Sequence, residues 1–241
     1  MIKEALPFKK ESGKMVFICA KEEFYKSLEE YKNLWDKGLK KQANRHLKTC
    51  IENLCRESDK NSLNDILEDF CFRYFDNGEF SYLNDRGNAL LPYELNKILW
   101  EFLKSEAAMG KMPHMRRIWE IFKMQANPFD IRYELDTELF LKRAYEHKDC
   151  DEKTVNCYLW LELYYLGYGA HHFPDRCLFD KETYLKFLSQ AQEIIDTHRV
   201  DCKLLQDFDY LAKVYECYLK FDNMGRKGDF LHICKDAGFT F

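Results

Sequence analysis

The stretch Lys37–Cys55, KGLKKQANRHLKTCIENLC, decides the fold that this sequence predicts. Its apolar residues recur at intervals of three and four, which is the period of an α-helix. The apolar stripe of the preceding segment ends at Gly38, and glycine can adopt the left-handed turn that closes a helix. Because the link KGLK is so short, the two helices must run antiparallel as a hairpin with their apolar faces on the same side.

The rest of the chain repeats this pattern. Only ten glycines and five prolines interrupt the 241 residues, and further helical stripes lead to Gly78 and Gly110 and continue to about residue 235. We predict an all-α fold of nine to eleven helices, stacked as antiparallel hairpins in an irregular α-solenoid or a helical bundle. We predict a single helical domain over residues 1–241, with a sub-division near 127–130 as the alternative, since Pro128 there ends a helical pattern.

The spacing after Gly38 resembles the tetratricopeptide repeat, in which a glycine closes the first helix and a small residue five positions later lets the second helix pack closely. Ala43 occupies that position here. The same position holds larger apolar residues in two other links: Met115 after Gly110 and Phe230 after Gly225. The resemblance covers about half of the chain and implies a degenerate helical repeat with a broad concave surface.

Charge and cysteine usage limit the class of protein. The formal net charge of −4 is too balanced to predict a dedicated nucleic-acid or membrane surface. No apolar stretch reaches signal-peptide or membrane-span length, so we expect no export signal and no membrane partner. The ten cysteines lie singly on apolar faces, with no CxxC pair, which is typical of buried thiols in a reducing compartment. We therefore expect a cytoplasmic protein.

No reaction signature emerges from the sequence. Glycine-rich phosphate loops are missing, and the densest group of metal-ligand types, in GAHHFPDRC, holds adjacent histidines that point in different directions. Arg143 and His147 resemble the arginine–histidine pair of helical HEPN ribonucleases, although their spacing is one residue too short. We expect no cofactor, no metal and no enzymatic activity, with a degenerate helical ribonuclease as an alternative.

Two basic clusters provide a second alternative, a nucleic-acid-binding protein. The first follows Gly38 and the second follows Gly110. Their members are Lys40, Lys41, Arg45 and Lys48, and then Lys111, Arg116 and Arg117. A helix places Lys41, Arg45 and Lys48 on one side, opposite the apolar stripe, where they would meet phosphates.

The function that we favour is a non-catalytic protein-binding helical scaffold, because tyrosine and tryptophan, of which the chain has 15 and 4, anchor many interfaces. Its general character is similar to bacterial immunity proteins, which bind and block a cognate toxin. The candidate partner-binding residues lie in one polar turn and in one aromatic, histidine-containing segment: Asp149, Asp151, Glu152, Tyr164, Tyr168, His171, His172 and Asp175. Alternatively, Tyr164, Tyr165, Tyr168 and Phe173 would enclose an apolar small molecule.

Overall fold

A computed structural model describes residues 10–83, 91–123 and 137–240, with side chains for 20–83, 91–121 and 137–240. Within these ranges the chain forms ten α-helices and no β-strand, which confirms the all-α prediction. Among the described helices, none combines the length and the apolar character that crossing a bilayer requires.

The chain divides into two compact units, Met1–Phe140 and Leu141–Phe241. The sub-division that the sequence predicted near 127–130 lies outside the described residues. Whether the two units behave as a single domain stays a prediction.

The first unit contains two helical hairpins and a connecting helix. The helices are α1 (Lys10–Asp36), α2 (Lys40–Glu57), α3 (Lys60–Cys71), α4 (Tyr93–Ala108) and α5 (Met112–Lys123). Helix α1 packs on α2, α4 packs on α5, and both α2 and α3 contact α4. A single π-helical turn, Phe72–Asp76, continues α3, and a short 3₁₀ turn follows at Ser81–Leu83.

The links of the two hairpins confirm the prediction that a left-handed glycine closes the first helix of each pair. Gly38 has φ +77°, and the N–H groups of Gly38 and Leu39 donate to Trp35 and Leu34 at 2.8 and 2.9 Å. This is the paired hydrogen-bond pattern that ends a helix at a left-handed residue. Gly110, at φ +80°, ends α4 with the same pattern. Ala43, five residues after Gly38, is fully buried, so its small side chain lets α2 approach α1.

The second unit is built around a long helix that packs on two others. Helix α6 (Thr137–Tyr145) spans the division, and the unit continues with α7 (Glu152–Ala170), α8 (Lys181–Thr197), α9 (Cys202–Asn223) and α10 (Phe230–Asp236). Helix α7 packs against both α8 and α9, and α10 packs against α9.

Aspartates begin each of the last four helices. At α7 the Asp151 carboxylate accepts a hydrogen bond from the Thr154 N–H at 2.7 Å, and Asp180 does the same for Thr183 at α8. Asp201 and Asp229 cap α9 and α10 in the same way. Such caps satisfy N–H groups that have no partner within the helix, so these residues fix where each helix begins.

The nine described cysteines are all free thiols. Three of them are buried: Cys71, Cys217 and Cys234. The other six are half-buried or exposed, so the prediction that most of the thiols are buried is wrong. Cys50 and Cys157, which were predicted on apolar faces, are only half-buried. Burial raises the pKa of the Cys71 thiol, which keeps this cysteine protonated and unreactive.

Candidate functional site

An exposed row of aromatic rings runs along one side of α7. Trp160, Tyr164 and Tyr168 lie on successive turns, and we call them the aromatic ridge. The Trp160 and Tyr164 rings stack at 5.4 Å with an interplanar angle of 17°. Tyr164 and Tyr168 are each 54% exposed, although tyrosine carries a large apolar ring. The ridge therefore presents rigid aromatic surface to solvent.

The opposite side of α7 explains why the ridge faces outward. Leu166 is fully buried, and the Tyr215 hydroxyl of α9 donates a hydrogen bond to its backbone carbonyl at 2.9 Å. Gly169 is buried on the same side, where a Cβ atom would lie 2.4 Å from the Tyr215 hydroxyl oxygen. A helix advances about 100° per residue, so Gly169 lies about 140° round the helix from Tyr164. Close packing at Leu166 and Gly169 sets the rotation of α7.

A shallow groove of about 260 Å³ lies between the ridge and α9. We call it the Asp207 groove. Its lining residues are Trp160, Leu163 and Tyr164 on α7, with Leu204, Asp207, Tyr210 and Leu211 on α9. Tyr210 is 42% exposed, and its ring meets Phe239 edge-on at 5.8 Å. Asp207 is the one charged residue of this lining.

The structure separates the predicted partner-binding residues into two groups. Tyr164 and Tyr168 belong to the ridge, and His171, His172 and Asp175 are exposed just after the end of α7. Asp149, Asp151 and Glu152 are exposed near the start of α7. At a rise of 1.5 Å per residue, Glu152 lies about 18 Å from Tyr164 and about 28 Å from His171 along the helix. Asp151 is also the N-cap of α7, so its carboxylate already serves the fold.

The histidine loop does not assemble a metal-ligand set. The His171 and His172 rings meet edge-on with centroids 5.0 Å apart. Across the described ranges, no three histidine, cysteine or acidic side chains converge as metal ligands would. Burial raises the pKa of the Cys177 thiol, which disfavours the thiolate that zinc requires.

The alternative of an apolar pocket formed by the tyrosines and Phe173 is wrong. Tyr165 stacks on Phe187 of α8 at 5.2 Å, whereas Phe173 is buried and stacks on Tyr218 of α9 at 3.9 Å. Tyr164 and Tyr168 face solvent. The four rings therefore point to different environments and do not enclose one cavity.

A second candidate functional site is a buried network of charged side chains in the first unit. Arg116 and Arg117 of α5 are 1% and 2% exposed, and both donate to Asp76 in the π-helical turn. Arg116 also pairs with Glu120, and Arg117 donates to Glu68 at 2.9 Å. The buried His114 completes the network through Glu68. Such networks hold elements together when every charge is paired.

The network lowers the pKa of two of its carboxylic acids, Glu68 and Asp76. Burial raises the pKa of Glu68, but hydrogen bonds from His114 and Arg117 outweigh burial and lower it to about 2. Burial likewise opposes ionisation of Asp76, yet Arg117 and Arg116 lower its pKa below the ordinary value. Both carboxylates stay charged at neutral pH, so they act as fixed partners of the arginines and not as general acids.

The prediction of a basic surface is wrong for Arg116 and Arg117, because both are buried in this network. Arg116 was expected beside Lys41 and Arg45 on a face that meets phosphates, but its guanidinium group is buried in ion pairs. Arg45 and Lys48 are exposed as predicted and line a groove between α2 and α4. Glu52 and Glu94 line that groove too, so its charge is mixed.

The structure does not place Arg143 and His147 on one helix, as the ribonuclease alternative requires. Helix α6 ends at Tyr145, so His147 lies beyond the helix that carries Arg143. The Asp149 N–H donates to His147 Nδ1 at 3.2 Å, which ties the imidazole into the following turn. The pair therefore does not share one helix, as the resemblance to HEPN enzymes requires.

Sequence reasoning missed Trp160, Asp207 and Tyr210. One signal was available for Tyr210, which is exposed and lies about 160° round α9 from the buried Phe208. An aromatic residue on the polar face of an amphipathic helix marks exposed apolar surface.

No protein-family model, curated protein or solved structure matches this chain. The tetratricopeptide-like repeat therefore stays a prediction, and function must be argued from the site alone.

Proposed function

We propose that this protein is a non-catalytic binding module that recognises another protein through the aromatic ridge of α7. The single observation that carries the proposal is that Tyr164 and Tyr168, one turn apart, are each 54% exposed. Exposed apolar surface of this kind costs solubility and recurs at protein interfaces.

The chemistry of the ridge supports protein recognition. Tyrosine and tryptophan are enriched among the residues that dominate binding energy, because they bury a large area for the loss of only two side-chain torsions. The Trp160 and Tyr164 rings already stack on each other in the unbound protein, which lowers the entropy cost of association. The ridge also stands on a helix whose rotation is fixed by Tyr215, so its side chains are held in place.

The finer parts of the proposal concern the partner and the compartment. We propose that the partner is a toxin domain that this protein blocks, as its general likeness to immunity proteins implies. We place the protein in the cytoplasm, since the nine described cysteines are free thiols and three of them are buried. The experiment below tests the statement about the partner.

Affinity capture from the source cell tests the proposal. The baits are the wild-type chain, the double variant Tyr164→Ser with Tyr168→Ser, and a control, Tyr93→Ser. Tyr93 is 70% exposed on α4 of the first unit, so it matches the chemistry of the change but lies off the ridge. We expect wild type and control to retain one partner protein at low and high salt, and the double variant to lose it. Equal retention by all three baits would exclude the ridge as the binding surface.

A further inference from the structure

The groove beside the ridge indicates the chemistry of what it binds. We propose that the Asp207 groove accepts an arginine side chain of the partner protein, an inference that rests on the proposed function. The juxtaposition that carries it is that one carboxylate, Asp207, lines the same groove as the exposed Tyr164 and Tyr210.

Asp207 is available for a cation. Its side chain is exposed, and within residues that the structure describes it forms neither an ion pair nor a hydrogen bond. The other residues of the groove lining are aromatic or leucine. A cation entering the groove would meet one negative charge and aromatic rings, whose π faces attract positive charge.

An apolar occupant fits this groove poorly. Covering it with an aliphatic side chain would remove water from the Asp207 carboxylate without replacing its hydrogen bonds, which is costly. A basic side chain compensates that loss with a charge-assisted hydrogen bond. The carboxylate therefore selects a cationic group from among the side chains of a protein partner.

The shape of the groove favours arginine over lysine. A guanidinium group is planar, stacks on aromatic rings and donates two parallel hydrogen bonds to one carboxylate, whereas an ammonium group is a compact and strongly hydrated charge. The volume of about 260 Å³ lies below the range of about 300 to 1,000 Å³ that holds drug-sized ligands, so it suits one side chain.

A titration with a minimal arginine probe tests the inference. The full-length ¹⁵N-labelled protein is titrated with N-acetyl-arginine-N-methylamide while its amide and indole resonances are recorded. The citrulline analogue, which has the same shape without the charge, and the lysine analogue serve as comparison ligands. We expect the resonances of Asp207, Tyr210 and the Trp160 indole to shift with the arginine probe, less with the lysine probe, and not with citrulline.

Two aspartates of α9 supply a matched pair of variants. Asp207→Asn removes the charge in the groove, and Asp209→Asn removes the same charge from an exposed position outside the lining. Circular dichroism verifies that both fold. We expect Asp207→Asn to weaken probe binding by up to about fivefold, as for the loss of one solvent-exposed charge pair. Asp209→Asn should leave binding unchanged. Equal effects of the two variants, binding of citrulline like arginine, or tighter binding of lysine would each overturn the inference.

The outcome separates this inference from the proposed function. If a captured partner depends on Tyr168 but binds Asp207→Asn as tightly as wild type, the ridge functions and the arginine site is excluded. If the probe binds as expected and no partner is captured, the groove recognises arginine and the protein-binding function fails.

Discussion

Gly169 and Tyr215 are in direct contact where α7 crosses α9. A Cβ atom at Gly169 would lie 2.4 Å from the Tyr215 hydroxyl oxygen and 2.7 Å from Cδ2 of Phe179. The same hydroxyl donates to the Leu166 carbonyl at 2.9 Å. Only a glycine allows this approach, and the approach determines which face of α7 is buried and which carries the aromatic ridge.

Replacing this glycine should destabilise the second unit. Gly169→Ala places a methyl group within 3 Å of the buried Tyr215 and the half-buried Phe179, so we expect a loss of about 1 to 3 kcal/mol in the free energy of unfolding. Urea denaturation followed by circular dichroism measures it. Tyr215→Phe should restore part of the loss in the double variant, because it removes the atom that the methyl group meets first.

Gly167→Ala is the matched control in the same helix. Gly167 is exposed, and a Cβ atom there would meet nothing within 4 Å. Alanine is the better helix former, so this variant should gain about 0.5 to 1 kcal/mol. A Gly169→Ala protein as stable as Gly167→Ala would show that the contact with Tyr215 does not constrain α7.

The shared carboxylate of Asp76 should be the most important single charge of the first unit. Asp76→Ala leaves Arg116 and Arg117 each without one partner in a buried site, and we expect a loss of about 3 kcal/mol. Chemical denaturation measures it. Glu101→Ala breaks an exposed ion pair with Lys104 and should have little effect. If the two variants lost equal stability, the buried network would be no stronger than a surface pair.

The pKa of Glu68 predicts how stability depends on pH. It falls from 4.5 to about 2 in the folded state, so the unfolded chain binds this proton more readily. The contribution of Glu68 is therefore complete above about pH 4.5 and is lost as the pH falls toward 2. Urea midpoints between pH 7 and pH 3 should fall more steeply for wild type than for Glu68→Gln. The exposed Glu30→Gln should follow wild type; parallel curves for all three proteins would contradict the assignment.

Local sequence patterns were sufficient for the helices but not for the buried charges. Gly38 and Gly110 fix the hairpins because a left-handed glycine and a short link act within a few residues. The burial of Arg116 and Arg117 depends on their ion pairs with Asp76, which is about 40 residues away in the sequence. Asp76 lies in a π-helical turn, which the hydrophobic periodicity of the sequence does not predict. Two consecutive arginines therefore looked like a surface patch.

The aromatic ridge was only partly predictable for a related reason. Helix α7 is apolar on nearly every side, so its sequence period does not show which face is buried. Tyr164 and Tyr168 were predicted as partner-binding residues, but their outward orientation follows from the packing of Gly169 on another helix. The Asp207 groove needs α7 and α9 side by side, a contact between segments about 45 residues apart, and it was not predicted.

If the ridge is the binding surface, the captured partner should bind ridge variants more weakly than it binds wild type. Isothermal titration calorimetry with the purified partner compares wild type, the Tyr164→Ala Tyr168→Ala double variant and the Tyr93→Ala control. Two anchor side chains that cost at least about 1 kcal/mol each predict a dissociation constant at least about 30-fold higher for the double variant. The control should match wild type. If the double variant binds as tightly as wild type while its stability is unchanged, the ridge is not the binding surface and the account is wrong.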